Sequence, residues 1–517
     1  MNVHSTSPAW PARGRRRTAA AVLAMAGLLT ACSGSGTTSA GDAPNATLNW
    51  SMPNPSTWDP VTSQSGIDVT PLSLVYDSVT RLGRKGEAQP GVATSWAYSK
   101  DGRTLTFTLR KNLKFSDGSA LDATAVKKSL ERGKKQADSG IVGQLTTIAS
   151  IDAPAPTTLV LHLNREDYAL PLVLGGKTGM VVSPEAAGAD AKKVATKPVG
   201  SGPYTLTSYT PDGQAVLKKN PDYWDAKDIH IDNVTLKFLG DPQAIVSSLR
   251  SGETQLASFI SGTQVSALKK SGVDVDEFPS FQVSSVEVNA KLKPFDNPLF
   301  VRAINHAIDR KALVRILNGG HGEPAVQSFP EGYVAYDPAS ADLYPYDPAK
   351  AKSLLKQADY DGKPFPITWF TSPGGIDRRV EAELLQDQLK KVGIATTLEQ
   401  IPVAQVSDKV YVKHQVGFFP SGVFGRESPA QLLSFANTPY GTYDQPALTA
   451  ALKEAGKHPI DSAGYPQALR KVTAQTVRNG SNIMLFTSPW LYGRSKKLSE
   501  LSPYINSPRL EGVRLSG

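Results

Sequence analysis

The sequence predicts an α/β protein built from more than one lobe, and three observations carry that prediction. At 517 residues the chain exceeds the roughly 250–300 residues beyond which a single hydrophobic core stops growing. Segments alternating apolar and polar residues with period two recur between segments striped at helical spacing, the pattern of strands interleaved with helices. The 43 glycines and 38 prolines punctuate those segments without a fixed period, which sets aside collagen-like and solenoid architectures.

The chain opens on a targeting segment, residues 1–31. Arg13, Arg15, Arg16 and Arg17 form a cationic stretch with no acid near it, and residues 18–29 are apolar but too few to span a bilayer. The run ends in Leu29-Thr30-Ala31-Cys32, which resembles the lipobox of bacterial lipoproteins. There a peptidase accepts small residues, and a cysteine thiol takes a diacylglyceryl group as a thioether, chemistry that needs a strong nucleophile. Cys32 is the chain's single cysteine, so an intramolecular disulfide and a Cys-based zinc site are excluded. The arginines leave general and twin-arginine export both open. Two acyl chains anchor stably where one is marginal. Residues 33–45, "SGSGTTSAGDAPN", have the composition of a flexible tether with a reach of roughly 20 Å. Loss of residues 1–31 removes four arginines and no acid, taking the formal charge from +9 to +5. With no basic run interleaved with aromatics, nucleic acid is not an expected partner.

From Ala46 the elements follow in order. "TLTFTL" puts Leu105, Phe107 and Leu109 on one strand face, and Asp117-Gly118 supplies a turn. Asp122 is placed to cap a helix over "ATAVKKSLER". Leu159, Leu161 and Leu163 make a second alternating strand. Asn297 followed by Pro298 starts a helix carrying Val301, Ile304 and Ile308, and Asp309 caps the next, which Gly319 ends. In "RRVEAELLQDQLKKVG", Val380, Leu384, Leu385 and Leu389 predict a buried stripe, Gly393 a stop, and the strand beyond completes half of a βαβ unit.

Six collinear blocks then carry a resemblance: "NPSTWDP" at 54, "PGVATSWAYSKDGRTLTFTLRKNLKFSDGSALDATAVKKSLER" at 90, "PVGSGPYTLTSYTPDGQAVLKKNPDYWD" at 198, "LRSGETQLA" at 249, "PFDNPLFVRAINHAIDRKALV" at 294 and "DPAKAKSLLKQADY" at 347. The chain resembles the family 5 extracellular solute-binding proteins, the dipeptide- and oligopeptide-binding components of ABC importers. The resemblance implies a two-lobed periplasmic-binding-protein-like fold of type II with an extra N-terminal subdomain, closing on solute by hinge motion. It implies a first lobe over 46–262 with the extra subdomain at about 76–196, a second lobe over 263–481, and a return over 482–517. Hinges are expected near 259–262 and 481–484. Most block residues specify fold: the glycines of "GSGPY" allow a tight turn into a strand, and "NPDYW" sets aromatic bulk beside a turn.

The same resemblance implies ligand contacts in segments bordering the cleft. Trp58, Phe281, Trp369, Phe370, Phe418, Phe419 and Phe424 supply aromatic faces, and "GFFPSGVFGRESPAQLL" at 417 is the segment of most interest. Peptide-binding members carry an aspartate for the peptide ammonium where this chain has Gly425. Glu427 is the nearest substitute, and Arg426 beside it favours an anion. Arg378 and Arg379 follow the short loop "TSPGGID", and one of them is a candidate for a solute carboxylate.

Catalysis is not expected. The seven histidines lack metal-ligand spacing, "GGKT" at 175 has Pro171 where a phosphate loop needs glycine, no Gly-x-Ser-x-Gly elbow occurs, and the Ser-x-x-Lys tetrads at Ser266 and Ser353 lack companions. The expectation is a monomeric, membrane-tethered, extracytoplasmic receptor without cofactor, whose partners are a solute, an ABC permease and its ATPase subunits. The solute class stays open among peptides, sugars, opine-like conjugates and nickel chelates. A sensory or adhesive lipoprotein is the alternative.

Overall fold

The structure, a computed structural model, describes residues 45–83, 86–371, 378–423, 428–429, 432–433, 441–502 and 508–516. The targeting segment, Cys32 and all but the end of the tether lie outside these residues.

The first strand, β1 (Thr47–Met52), buries Leu48, Trp50 and Met52. A four-stranded sheet follows, containing the two expected alternating strands: β2 (Ala93–Tyr98), β3 (Thr104–Leu109), β4 (Ile148–Ala155) and β5 (Thr158–Leu163), antiparallel in the order β2-β3-β5-β4. Leu105 and Phe107 face Leu161 and Leu159 across β3 and β5, and these four with Leu109 and Leu163 belong to one buried core. Helix α1 (Ala123–Lys135) lies against this sheet, and its cap is the predicted one, Asp122 Oδ1 accepting from Ala125 N at 2.9 Å.

A nine-stranded sheet forms the backbone of the molecule. It adds to β1 the strands β6 (Tyr204–Thr210), β7 (Gln214–Lys219), β8 (Asn233–Phe238), β9 (Leu256–Ala257), β10 (Asp274–Val288), β11 (Glu323–Pro324), β14 (Phe418–Val423) and β15 (Ile483–Arg494). Between β11 and β14 in sequence, β12 (Phe365–Trp369) and β13 (Thr396–Gln400) pair parallel as a separate sheet. The large sheet runs β6-β7-β8-β1-β9-β15-β10-β14, with β11 on β15.

Glycine in "GSGPY" answers to close approach: a Cβ on Gly200 or Gly202 would lie 2.2 or 2.7 Å from the Val75 carbonyl oxygen. Tyr204 enters β6 buried, its hydroxyl donating to Ile231 O at 3.1 Å.

The two long strands serve both main cores. Trp490 and Tyr492 of β15 pack with Trp50, Trp58 and Leu236 in the first core, whereas Ile483, Leu485 and Phe486 pack with Phe295, Phe300 and Ile367 in the second. The passage from one core to the other on β15 therefore lies between Phe486 and Trp490. On β10 the pairing with β15 shifts register between Phe278 and Gln282 and again between Ser284 and Ser285, where the strand leaves the first core.

The second core is built by the predicted helices. Helix α2 (Pro298–Ala307) starts from Asn297, whose side chain accepts from Leu299 N at 2.9 Å, and α3 (Arg310–Leu317) from Asp309, which accepts from Ala312 N at 2.9 Å. Helix α4 (Arg379–Lys391) connects β12 to β13, so the βαβ unit is present. Its inward stripe differs from the expected one. Val380 is 40% exposed and Glu381 only 3%, because Glu381 is held inward by hydrogen bonds from Ser284 and Arg378.

One residue of "NHAIDR" has a purely architectural role. Arg310 is buried with no carboxylate partner among the described residues; it donates to the carbonyls of Asn305 (2.9 Å), Ala325 (3.0 Å) and Met484 (2.8 Å) and to Asn305 Oδ1 (2.7 Å). Burial pulls its pKa down to about 10, which still leaves the guanidinium charged at neutral pH.

Candidate solute site

The loop "NPSTWDP" and its continuation to Asp68 are cross-braced from several directions. Asp59, buried, takes a two-pronged bond from Arg132 of α1, one prong at 3.0 Å. Asp68, also buried, accepts from Ser56 N at 3.1 Å and Ser63 Oγ at 2.7 Å, and Lys177 donates to the carbonyls of Ser63 and Ser65. Trp58 sits between these braces at 0% exposure in the first core, edge-on to Tyr209 with ring centroids 5.8 Å apart.

The edge of the second core carries the other selected residues. Phe419 of β14 is 1% exposed and stacks on Phe370 at 5.7 Å and 13°, with Ile401 and Val410 completing a small cluster. Trp369 and Phe418 belong to the second core itself. Phe281 lies on β10 with its side chain outside the described residues, and Phe424, Gly425, Arg426 and Glu427 lie outside them altogether. The two arginines diverge: Arg379 is exposed and pairs with Glu383 at 3.2 Å, whereas Arg378 turns inward. Its guanidinium meets Glu381 Oε2 at 2.6 Å and Ser284 Oγ at 3.4 Å, and Ser284 donates to Glu381 Oε1 at 2.6 Å. The Arg378 Nε proton is buried and has no acceptor among the described residues.

Sequence reasoning missed Glu381 and Ser284. Arg378 and Glu381, three residues apart, are a readable helical pair, but burial of that pair is a tertiary fact. It also missed Glu287, half-buried on β10 opposite Phe419. Burial pushes the Glu287 carboxyl up, opposed by hydrogen bonds from Ser421 and from the Tyr411 hydroxyl at 3.0 Å.

A cavity of about 680 Å³ opens elsewhere, between residues 86–172 on one side and residues 333–465 on the other. Trp96, Tyr98 and Tyr168 wall it from the subdomain side, and Tyr333, Asp461 and Tyr465 from the other. Tyr98 and Tyr168 pack with centroids 4.7 Å apart, and the Tyr98 hydroxyl donates to Asp167 O at 2.7 Å. Tyr333 stacks on Phe329 at 5.3 Å. Beside the cavity an apolar cluster joins Leu82 and Leu172 of the subdomain to Phe329, Leu432, Tyr465 and Leu469. None of these residues was selected from the sequence as a ligand contact.

The family model of bacterial extracellular solute-binding proteins, family 5 (middle region), matches residues 87–467. The chain belongs to this family. The family 5 protein is 30% identical over 364 residues to the glutathione-binding protein GsiB of Escherichia coli O1:K1, a match covering 70% of each chain. Among solved structures it matches the binding protein AgaA of A. tumefaciens R10 in complex with agropinic acid (22% identity, 91% of this chain and 99% of that one, TM-score 0.79). It also matches DppA of Helicobacter pylori in complex with the peptide STSA (24% identity, 91% and 98%, TM-score 0.77). The fold is thus the two-lobed α/β fold of the peptide-binding class, and the function is that of the solute-binding component of an ABC import system.

In such a family 5 receptor the cavity has a direct physical meaning. Its volume falls in the range of small-molecule sites, roughly 300–1,000 Å³, and its walls come from two stretches far apart in the chain, residues 86–172 and 333–465. A solute touching both walls stabilises the closed arrangement over any open one by the contacts made only when closed. The apolar cluster beside it adds a solute-independent contribution of the same sign.

Proposed function

We propose that this protein captures a peptide or peptide-like amino-acid conjugate between its lobes and delivers it to an ABC permease and its ATPase subunits. The observation that carries this reading is the aromatic-walled cavity of about 680 Å³ contributed to by both sides of the molecule, in a chain whose similar relatives include proteins described as binding glutathione and the peptide STSA. Phe370, Arg378, Phe281, Phe424, Arg426 and Glu427 are assigned as further solute contacts away from that cavity, with Phe419, Trp58 and Trp369 supporting them from buried positions. Residues 46–262, with the subdomain at 76–196, and the chain from Trp490 onward act as the first lobe and the residues from 263 to Phe486 as the second, with β10 and β15 crossing between them. The protein works as a monomer by binding and release without catalysis. Removal of residues 1–31 and lipidation of Cys32 hold it outside the membrane on the tether of residues 32–45.

The test is to purify the protein from its native host, unfold it and identify the released solute by mass spectrometry. A thermal-shift panel of di- and tripeptides should then raise the unfolding midpoint in proportion to the logarithm of concentration above Kd. Release of a sugar, an opine-like conjugate or a metal chelate, with no peptide stabilising the protein, would overturn the peptide reading.

A further inference from the structure

We infer that the loop Asn318–Gly322 is the stop that sets how far the two lobes close, and that glycine at 262 and 319 tunes the affinity for solute by letting their main chains meet there. This inference rests on the proposed capture of a solute between the lobes and holds for a solute of any chemical class.

The loop follows α3, whose Leu313 and Val314 belong to the second core, and Asn318 N and Gly320 N both donate to Val314 O, at 3.0 and 3.1 Å. It therefore travels with the second lobe. It lies on β15 at the passage between the cores, where Asn318 Nδ2 donates to Ser488 Oγ at 3.3 Å and Glu323 pairs with Thr487. Facing it, Gly262 travels with the first lobe: the neighbouring Ile260 N donates to Leu491 O at 3.2 Å, and Ile260 packs with Leu249 and Ala257. The lobes meet here main chain to main chain. A Cβ on Gly262 would lie 2.0 Å from the Asn318 carbonyl oxygen, and one on Gly319 would lie 2.5 Å from the Gly262 carbonyl oxygen. From the same loop, His321 Nδ1 lies 3.1 Å from Oε2 of Glu277, in the stretch of β10 that pairs with Leu491.

This contact is tight in an arrangement whose lobes are together, since Leu82 and Leu172 share a buried cluster with Phe329, Leu432 and Leu469. Main chains already touching resist being pressed further, so the contact limits closing. Had it lain behind the hinge axis, closing would have parted it. Main chains approach this closely only where a Cβ is missing. The atom that a methyl on Gly262 would strike is a main-chain carbonyl, itself held by His321 N at 2.9 Å, so no flexible side chain can swing aside. A methyl forced in at this point turns one lobe away from the other and weakens every solute contact made only when closed.

The experiment reads the interlobe distance by electron–electron double resonance between spin labels on Lys128→Cys and Lys453→Cys, exposed positions on opposite lobes. The full chain carries Cys32→Ser, so these are its only cysteines. The probes are the compound released on unfolding the wild-type protein from its native host and the dipeptide phenylalanylleucine. A bound probe should shorten the wild-type distance. In Gly262→Ala the distance at saturation should stay longer than in wild type, and calorimetry should show binding about tenfold weaker or more; Gly319→Ala should behave alike. Gly320→Ala is the control. It shares the loop and a left-handed φ of +89°, but its Cβ would meet no atom within 4 Å, so its thermal midpoint should fall while distance and affinity stay as in wild type. Hydrogen exchange on the wild-type chain needs no variant to fold: residues 260–264 and 316–322 should both gain protection when the probe binds, and unchanged exchange overturns the inference. Closure and affinity kept by Gly262→Ala overturn it and leave capture between the lobes standing. Tighter binding by Gly262→Ala places the contact behind the hinge and overturns it, as does an equal loss of affinity in Gly320→Ala, which traces the effect to loop strain. A wild-type distance that neither probe shortens overturns capture between the lobes and the stop together.

Discussion

Replacing Leu82 by alanine should weaken solute binding without touching the solute. Leu82 is 5% exposed, belongs with Leu172 to the apolar cluster that also holds Phe329, Leu432 and Leu469 from the far half of the chain, and does not line the 680 Å³ cavity. Opening the lobes separates it from Phe329, Leu432 and Leu469. Leucine to alanine removes three carbons, worth about 2 kcal/mol at roughly 0.8 kcal/mol per buried methylene. If all of that burial is gained on closing, the closing constant falls about 30-fold, and apparent affinity falls by the same factor when the solute-free protein is mainly open. Part of the Leu82 surface packs within its own subdomain, where a Cβ on Gly175 would approach its Cδ2 at 3.2 Å, so a fall of about 5- to 30-fold is expected. Calorimetry gives the affinity, and thermal unfolding of the solute-free protein gives the stability of the subdomain separately. A drop in the solute-free midpoint with unchanged affinity would refute the reasoning, since it would mean that Leu82 is buried equally in the open and closed forms.

Three other outcomes are expected. Arg310→Met leaves the carbonyls of Asn305, Ala325 and Met484 short of a donor and should destabilise by about 3 kcal/mol, offset in part by removing a buried charge; a urea midpoint unchanged from wild type counts against this. Glu287→Gln should stabilise the protein by less than about 1 kcal/mol at pH 7, because the carboxyl is half-buried and partly screened. The sign follows from its raised folded pKa: the charged form is penalised above that value, and the advantage of the variant should vanish as pH falls through it into the ordinary carboxylate range. Cys32→Ala should release the protein from the membrane fraction and abolish metabolic labelling with palmitate while leaving solute affinity intact; affinity lost along with anchoring would contradict a simple tether.

Local punctuation was the most legible part of the fold. Asp122, Asn297 with Pro298, Asp309 and Gly393 mark helix ends through bonds that the chain makes with itself within a few residues, so the sequence contains the whole cause. The strands around Phe107 and Leu161 were readable because only one face of each meets the core. The long strands β10 and β15 were less so. Each changes core part-way along, and β15 buries residues of both parities, so neither has a single alternating face to detect. The α4 stripe shows the same limit at the scale of one residue: helical periodicity ranks Val380 above Glu381 for burial, and a serine 97 positions away reverses that order.

The site was harder to read for a related reason. "NPSTWDP" looks like ligand machinery because an exposed-looking loop carries a tryptophan, but Asp59 and Asp68 pull the loop onto Arg132, Ser56 and Ser63, and the ring is spent on the first core. The cavity walls, by contrast, come from "SWAYS" and "PIDSAGY", segments more than 350 residues apart, neither carrying a local signature of binding. The Tyr465 hydroxyl is buried with no hydrogen-bond partner among the described residues, a property of the assembled fold and of no stretch of sequence. Tyr76 and Tyr204, equally buried, donate to main-chain carbonyls at 3.0 and 3.1 Å; their hydroxyls are already satisfied by the fold. Each of these hydroxyls finds or lacks its partner through the packing of segments well removed in sequence, and no local pattern of residues could have ranked one above another.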